Sequence, residues 1–72
     1  MHSGDVINAI KARRESLHVT QEILAQLSGV SLRTLKQFES GKGNPTLQTL
    51  QKLGDALGLE ITVTVKSKGS NT

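Results

Sequence analysis

Four stretches of the chain have hydrophobic residues at the three- and four-residue spacing of amphipathic helices. The first stretch runs from Gly4 to Ser16. Each of the other three follows a hydroxyl residue that can act as a helix N-cap, namely Thr20, Ser31 and Thr46. Each also ends at a glycine, namely Gly29, Gly41 and Gly58, and Gly29 can take the left-handed conformation that closes a helix. The pattern therefore predicts four helices joined by short turns.

The helical spacing also predicts which side chains face the core. The predicted inward positions are Val6, Ile7, Ile10, Leu17, Leu24, Leu27, Leu35, Phe38, Leu47, Leu50, Leu53 and Leu57. Gly54 interrupts the fourth predicted helix at a cost of about 1 kcal/mol relative to alanine. The sequence leaves open whether close packing requires this glycine.

The period of the pattern changes to two between residues 57 and 66, where odd positions are apolar and even positions are polar or glycine. This alternation, rich in β-branched residues, predicts a half-buried strand over residues 59–66. A lone strand leaves backbone N–H and C=O groups unpaired, so we expect it to pair with its copy in a homodimer. The residues expected at that contact are Leu59, Ile61, Thr62, Val63, Thr64 and Val65. The alternative is a frayed tail, and residues 67–72 are expected to be disordered.

Length and cysteine content favour a second copy of the chain. With 72 residues the chain is one domain or less, and residues 1–58 are expected to form its helical part. Below about 70–80 residues one core seldom supplies more than roughly 3–5 kcal/mol, and small folds often add a disulfide, a metal or a partner chain. There is no cysteine, and His2 and His18 lack the spacing of helical metal ligands, so no metal site is expected.

Several classes of function are disfavoured by what the sequence lacks. It has no nucleophile–base arrangement, no Gly-rich phosphate loop and no carboxylate–histidine cluster, so we expect neither an enzyme nor a cofactor. No apolar run approaches the roughly 20 residues of a membrane span, and no signal peptide is visible, which favours a cytoplasmic location. The net charge is +3, and residues 10–42 hold the whole excess, with six basic and three acidic residues. That excess slightly favours a nucleic acid as the partner.

Residues 20–42 have the residue spacing that a helix-turn-helix requires. Ala25 is small where two short helices cross closely, and Gly29 follows four residues later in the turn. Apolar residues one, six and nine positions beyond Gly29 fill the angle between the helices, namely Val30, Leu35 and Phe38. A larger side chain at Ala25 would separate the helices, and a Cβ at Gly29 would strain the turn.

With these residues the chain resembles the Xre family, the helix-turn-helix proteins that include phage repressors and Cro proteins. The matching positions are Ile10, Arg14, Thr20, Gln21, Leu24, Ala25, Gly29, Val30, Ser31, Leu35, Glu39, Gly41, Lys42, Asn44, Pro45, Thr46 and Leu47. The resemblance covers residues 6–58 and implies a mainly α, compact four-to-five-helix lambda-repressor-like DNA-binding domain. Two positions depart from the family pattern. His18 stands where most members have glycine, and Ile23 stands where a polar residue is usual.

The predicted C-terminal strand narrows the resemblance to the Hip-type antitoxins. In those proteins two copies pair through a C-terminal strand, bind operator DNA and hold a kinase-like toxin. The resemblance implies a cytoplasmic, nucleoid-associated homodimer that represses its own promoter at a palindromic operator, with a kinase-like toxin as partner. Two alternatives remain. One is a stand-alone phage-like or chromosomal repressor without a toxin, and the other is a protein-interaction module whose strand adds to a partner's sheet.

By the same resemblance the third predicted helix is the one that enters the major groove. Its candidate base-contacting residues are Ser31, Leu32, Arg33, Thr34, Lys36 and Gln37. Arg33 suits a bidentate contact with guanine, and Gln37 suits adenine. The candidate phosphate contacts are Gln21, Ser40, Lys42 and Asn44. Arg14 and Glu39 match a partly buried family ion pair, which either clamps the first helix to the third or holds Arg14 near a phosphate.

Overall fold

All four predicted helices are present in the computed structural model, which describes residues 3–62. Helix α1 spans Ser3–Ser16, α2 spans Gln21–Ser28, α3 spans Leu32–Glu39 and α4 spans Leu47–Ala56. Helix α2 packs against α3 and α4, and α1 packs against α3. The fold is therefore mainly α, and α2, the turn and α3 form the predicted helix-turn-helix.

The three predicted N-caps are confirmed by their hydrogen bonds. The hydroxyl of Thr20 accepts from the backbone N–H of Ile23 at 3.1 Å, which satisfies one of the free donors of the first turn of α2. Ser31 and Thr46 make the same contact, with donor–acceptor distances of 3.1 Å and 3.0 Å. Losing such a cap typically costs about 1 kcal/mol, so the hydroxyl residues fix where each helix starts.

Two left-handed residues shape the turns on either side of α2. Gly29 has φ of 76° and donates its N–H to the Ala25 carbonyl at 3.0 Å, which closes α2 as predicted. His18 has φ of 57° in the turn between α1 and α2. The histidine thus takes the left-handed conformation that glycine adopts without strain, and its Cβ makes that conformation unfavourable.

A single cluster of buried side chains connects the four helices. Its members are Ile10, Leu24, Val30, Leu35, Phe38, Leu53 and Leu57. Val6, Ile7 and Leu50 are partly buried against this cluster. The predicted inward positions on α3 are confirmed, because Leu35 and Phe38 are both buried while Lys36 and Gln37 between them are exposed.

Three leucines predicted to face inward are exposed instead. Leu27 is 63% exposed because α2 turns the face formed by Leu24, Ala25 and Ser28 toward its neighbours. Leu47 is 51% exposed, since it is the first residue of α4 and lies off the buried face. Leu17 is 43% exposed because α1 ends at Ser16, so the helical spacing no longer applies there.

The chain after α4 turns back onto the core before leaving the described residues. Leu59 and Ile61 are half-buried and pack against the core cluster, and residues 59–62 form no strand within the described chain. Val63, Thr64, Val65 and the rest of the predicted strand lie outside the described residues, as does the predicted tail at 67–72. No helix within 3–62 has the length and apolar character needed to cross a bilayer.

The left-handed backbone at His18 predicts that His18→Gly stabilises the protein. Relief of the Cβ strain of about 1–2 kcal/mol exceeds the entropy that glycine adds to the unfolded chain, which is about 0.4–1 kcal/mol. We expect a net increase of about 0.5–1 kcal/mol in the free energy of unfolding, measured by urea denaturation.

Ala12→Gly is the matched control, because Ala12 is exposed within α1. It is expected to destabilise by about 1 kcal/mol. Loss of stability in both variants would contradict the prediction.

Candidate nucleic-acid interface

The outer face of α3 carries the predicted base-contacting side chains. Arg33, Thr34, Lys36 and Gln37 are exposed along this helix, and Leu32 at its first position is half-buried. Leu35 and Phe38 anchor the opposite face in the core. A helix held by two buried side chains presents its polar face in a fixed orientation, which recognition of base edges requires.

Three of the predicted hydroxyl contacts already make local hydrogen bonds. Ser31 donates to the Thr34 hydroxyl oxygen at 2.9 Å and also caps the helix. Ser40 donates to the carbonyl of Gln37 at 2.9 Å. These hydroxyls retain lone pairs, so they can still accept from a base amino group. Ser31 and Ser40 must rearrange before they donate to a phosphate, whereas Thr34 is the acceptor in its bond and keeps its own O–H.

An open groove lies beside α3 and brings several predicted contacts together. It is lined by Thr34, Gln37, Phe38, Lys42, Gly43, Asn44, Pro45, Thr46 and Thr49. Four of these are predicted DNA contacts, drawn from the base-facing helix and from the loop after it. The loop is folded against α3, since the Lys42 N–H donates to the Gln37 carbonyl at 3.0 Å. Thr46 and Thr49 also line the groove, a position that helical periodicity alone did not indicate.

Glu39 lies at the centre of a polar network that joins three helices. Its carboxylate accepts from Arg14 Nε at 2.7 Å and from Arg14 Nη2 at 3.0 Å. It also accepts from the amide Nε2 of Gln21 at 3.1 Å. Arg14 Nη1 donates to the Val19 carbonyl at 2.8 Å. The structure thus brings Arg14, Glu39 and Gln21 together, and it places a residue predicted only as a phosphate contact within this network.

The network favours a structural clamp over a phosphate contact for Arg14. Its side chain is 12% exposed and that of Glu39 is 4% exposed, so the pair is largely removed from solvent. Hydrogen bonding to Glu39 raises the pKa of Arg14, while burial acts in the opposite direction. An arginine is charged throughout the physiological range in any case, so the bond to Glu39 reinforces the charged form of Arg14.

The ion pair between Glu39 and Arg14 leaves the outer face of α3 and the loop after it basic. Arg33, Lys36 and Lys42 are exposed on α3 and the following loop. Glu39 is the single acidic residue between 31 and 46, and its charge is compensated by Arg14. Phosphates approaching this face therefore meet three cations and no free carboxylate from that segment.

Other side chains of the described residues lie outside this surface. Arg13 Nε donates to the Leu57 carbonyl at 3.0 Å, which ties α1 to the C-terminal end of α4 and was not foreseen from the sequence. Ile23 is 45% exposed on α2, as its departure from the family pattern suggested. Within residues 3–62 no group of three or more His, Cys, Asp and Glu side chains is placed to hold a metal ion.

Comparison with known proteins identifies a family and two relatives that are similar in sequence. The model of a protein family described as helix-turn-helix matches residues 10–63. The chain is 41% identical over 49 residues to the cryptic phage CTXphi transcriptional repressor RstR of Vibrio cholerae serotype O1, covering 68% of this chain and 44% of that protein. It is 34% identical over 58 residues to an uncharacterized HTH-type transcriptional regulator of Haemophilus influenzae, covering 81% of this chain and 59% of that protein. The chain thus spans about half the length of these curated relatives.

The Arg14–Glu39 contact predicts strong energetic coupling between α1 and α3. Glu39→Gln leaves the Arg14 guanidinium without its charged acceptor, and we expect a loss of about 3 kcal/mol in the free energy of unfolding. Arg14→Met combined with Glu39→Gln is expected to cost less than the sum of the two single changes. Urea denaturation of the four proteins of this cycle gives the coupling energy.

Glu60→Gln is the control, because Glu60 is an exposed acidic residue and its change is expected to stay within about 0.5 kcal/mol. Strictly additive effects of the Arg14 and Glu39 changes would show that the two side chains do not act as a pair.

Proposed function

The chain belongs to the helix-turn-helix family, and we propose that it is a sequence-specific DNA-binding transcriptional repressor that acts as a homodimer on a palindromic operator. The observation that carries this proposal is the exposed polar face of α3, with three cations on the helix and its loop and with Glu39 compensated by Arg14. The names of the two relatives, a phage repressor and a transcriptional regulator, support the same function.

In this proposal α3 lies in the major groove and reads bases. Arg33 makes a bidentate contact with guanine. Gln37, which lines the open groove of the protein beside α3, pairs with adenine. Leu32 packs on a thymine methyl with the part of its side chain that remains exposed. Ser31, Thr34 and Lys36 complete the set of base contacts, with the two hydroxyls acting as acceptors while they stay bonded to each other.

Phosphates are held by residues at both ends of the helix-turn-helix. Gln21 begins α2, where the helix dipole and free N–H groups suit an anion, and Glu39 orients its amide. The second N–H of that amide stays available for a phosphate oxygen, since the amide nitrogen carries two donors. Lys42, Asn44 and Ser40 contact the backbone on the other side of α3. These contacts fix the register of the protein on DNA, whereas the base contacts supply selectivity.

Two copies are needed because one α3 reads too few base pairs for a selective site. We propose that the segment from Leu59 through Val65 joins the copies, as its alternating pattern suggests. The two α3 helices then enter successive major grooves about 34 Å apart, which is one turn of DNA.

At a finer level we propose that the chain is the antitoxin of a Hip-type toxin–antitoxin pair, represses its own operon and holds a kinase-like toxin. The support is the short repressor-like domain followed directly by an alternating segment. A stand-alone phage-like repressor is the second candidate, favoured by the similarity to the phage repressor of Vibrio cholerae. A kinase-like reading frame next to the gene, whose product forms a stable complex with this chain, distinguishes the first from the second.

The division between base and phosphate contacts predicts different effects of Arg33→Ala and Lys42→Ala. Arg33→Ala should lose about 1–3 kcal/mol of binding free energy on an operator selected from random duplexes by the unmodified protein. It should also relax the preference at one base pair. Lys42→Ala should weaken binding to all duplexes alike. It should also reduce the slope of log binding constant against log salt concentration by about one.

Fluorescence anisotropy with operator and scrambled duplexes at several salt concentrations measures both effects. Identical behaviour of the two variants would contradict the division. Affinity that barely responds to salt would instead favour the protein-interaction module.

The proposed dimer contact predicts that Val63→Asp converts the dimer to a monomer. A charge at an apolar position of the paired segment is costly to bury, and a monomer binds the palindrome far more weakly. Light scattering gives the mass, and Asp55→Glu is the control, because it keeps the charge at an exposed position of α4 outside the proposed contact. A variant that stays dimeric would refute this contact.

A further inference from the structure

We infer that Gly54 is a positioning residue. Because it has no side chain, it leaves a space, called the seat here, in which Leu59 and Ile61 pack after α4. This packing sets the half-site spacing that the dimer accepts. This inference rests on the proposed dimeric repressor. It identifies a determinant of operator choice that touches no DNA and lies on α4, outside the helix-turn-helix.

Close packing explains why a glycine stands inside α4. Gly54 is buried, and a Cβ built on it would lie 3.0 Å from Ile61 Cδ1 and 3.3 Å from Ile61 Cγ1. The same Cβ would lie 3.2 Å from the carbonyl oxygen of Leu59. The Ile61 side chain can rotate away, but the Leu59 carbonyl belongs to the backbone, so an added methyl group moves the chain itself.

The backbone of Gly54 holds the same segment from its other side. Its carbonyl accepts from the N–H of Leu59 at 2.8 Å and from the N–H of Leu57 at 3.0 Å. Gly58, at φ of 71°, makes the sharp reversal between these two donors. Leu59 is thus bonded to the carbonyl of Gly54 while Ile61 rests where its side chain would be, and these two contacts fix the direction of the chain at residues 59–62.

This direction is transmitted to α3 through packed helices. Ile61 and Leu59 pack on the core, α4 packs on α2, and α2 packs on α3. If two copies join through the segment that begins at Leu59, the angle at which this segment leaves α4 sets the separation and rotation of the two α3 helices. One base pair of extra spacing rotates a half-site by roughly 34°, because a DNA turn is about 10.5 base pairs. A small change of exit angle therefore alters which spacing fits.

Gly54→Ala tests the seat by adding one methyl group. Gly4→Ala is the matched control, because Gly4 is also helical and nothing lies within 4 Å of a Cβ built there. Sequences selected from random duplexes by the unmodified protein supply the half-site, and a series of duplexes then varies the separation of two half-sites in single base-pair steps. Binding is measured by anisotropy, and sedimentation equilibrium gives the oligomeric state.

We expect the unmodified protein and Gly4→Ala to share one sharp spacing optimum. Gly54→Ala should stay dimeric, bind about tenfold more weakly at that optimum and show a shifted or flattened spacing profile. Stability alone does not report on the seat, because alanine gains about 1 kcal/mol of helix propensity while the contacts with Leu59 and Ile61 oppose it.

Ile61→Ala keeps the test valid if Gly54→Ala does not fold, since it empties the seat without adding atoms. Because Ile61 also belongs to the proposed dimer contact, sedimentation equilibrium must show that the variant stays dimeric, and as a dimer it should broaden the spacing profile. A monomeric Ile61→Ala would overturn the inference in favour of a direct contact between copies. The inference would be overturned if Gly54→Ala had the same spacing profile as the unmodified protein. If Gly54→Ala is unfolded, the same result for Ile61→Ala would overturn it. Either result would leave the repressor proposal intact. An unmodified protein that selects no paired half-sites would overturn both.

Discussion

Glu39 connects α1, α2 and α3 because its carboxylate accepts from Arg14 and Gln21 at the same time. A guanidinium is planar and meets a carboxylate in one bidentate geometry, so this contact fixes orientation as well as distance. Removing two charges from water is costly, and the net stabilisation from a buried ion pair is small. What the pair provides here is a fixed position of α3 relative to α1, and the Gln21 bond ties α2 to the same carboxylate. The remaining features of the interface depend on that position.

The helices of the interface are too short to be stable without the rest of the molecule. Helices α2 and α3 have eight residues each, below the length at which an isolated helix persists in water. Their caps define the ends, and the buried residues Leu24, Leu35 and Phe38 supply the packing. A surface built on such helices stays rigid only while its core and its polar network are intact. Stability and the proposed DNA recognition are therefore linked in this protein.

The proposed function uses residues that the core leaves exposed. The side of α3 away from Leu35 and Phe38 is polar and basic, and the loop that follows brings Lys42 and Asn44 to the same groove as Thr34 and Gln37. Gly54 is buried in α4, where it directs the chain toward the proposed dimer contact. Selectivity would then come from two separate sources, namely the side chains that touch bases and the geometry that places two copies on one duplex.

The sequence alone determined the helices, their N-caps and the turn that joins α2 to α3. These features depend on local rules, such as the hydroxyl at Thr20 or Ser31 and the left-handed turn at Gly29, which neighbouring residues can satisfy. Only the tertiary structure decided that Leu27 and Leu47 are exposed, because the buried face of a short helix depends on where its neighbours pack. It also decided that Gln21 shares Glu39 with Arg14 and that Gly54 receives Ile61. Those contacts join residues distant along the chain, and no local pattern specifies them.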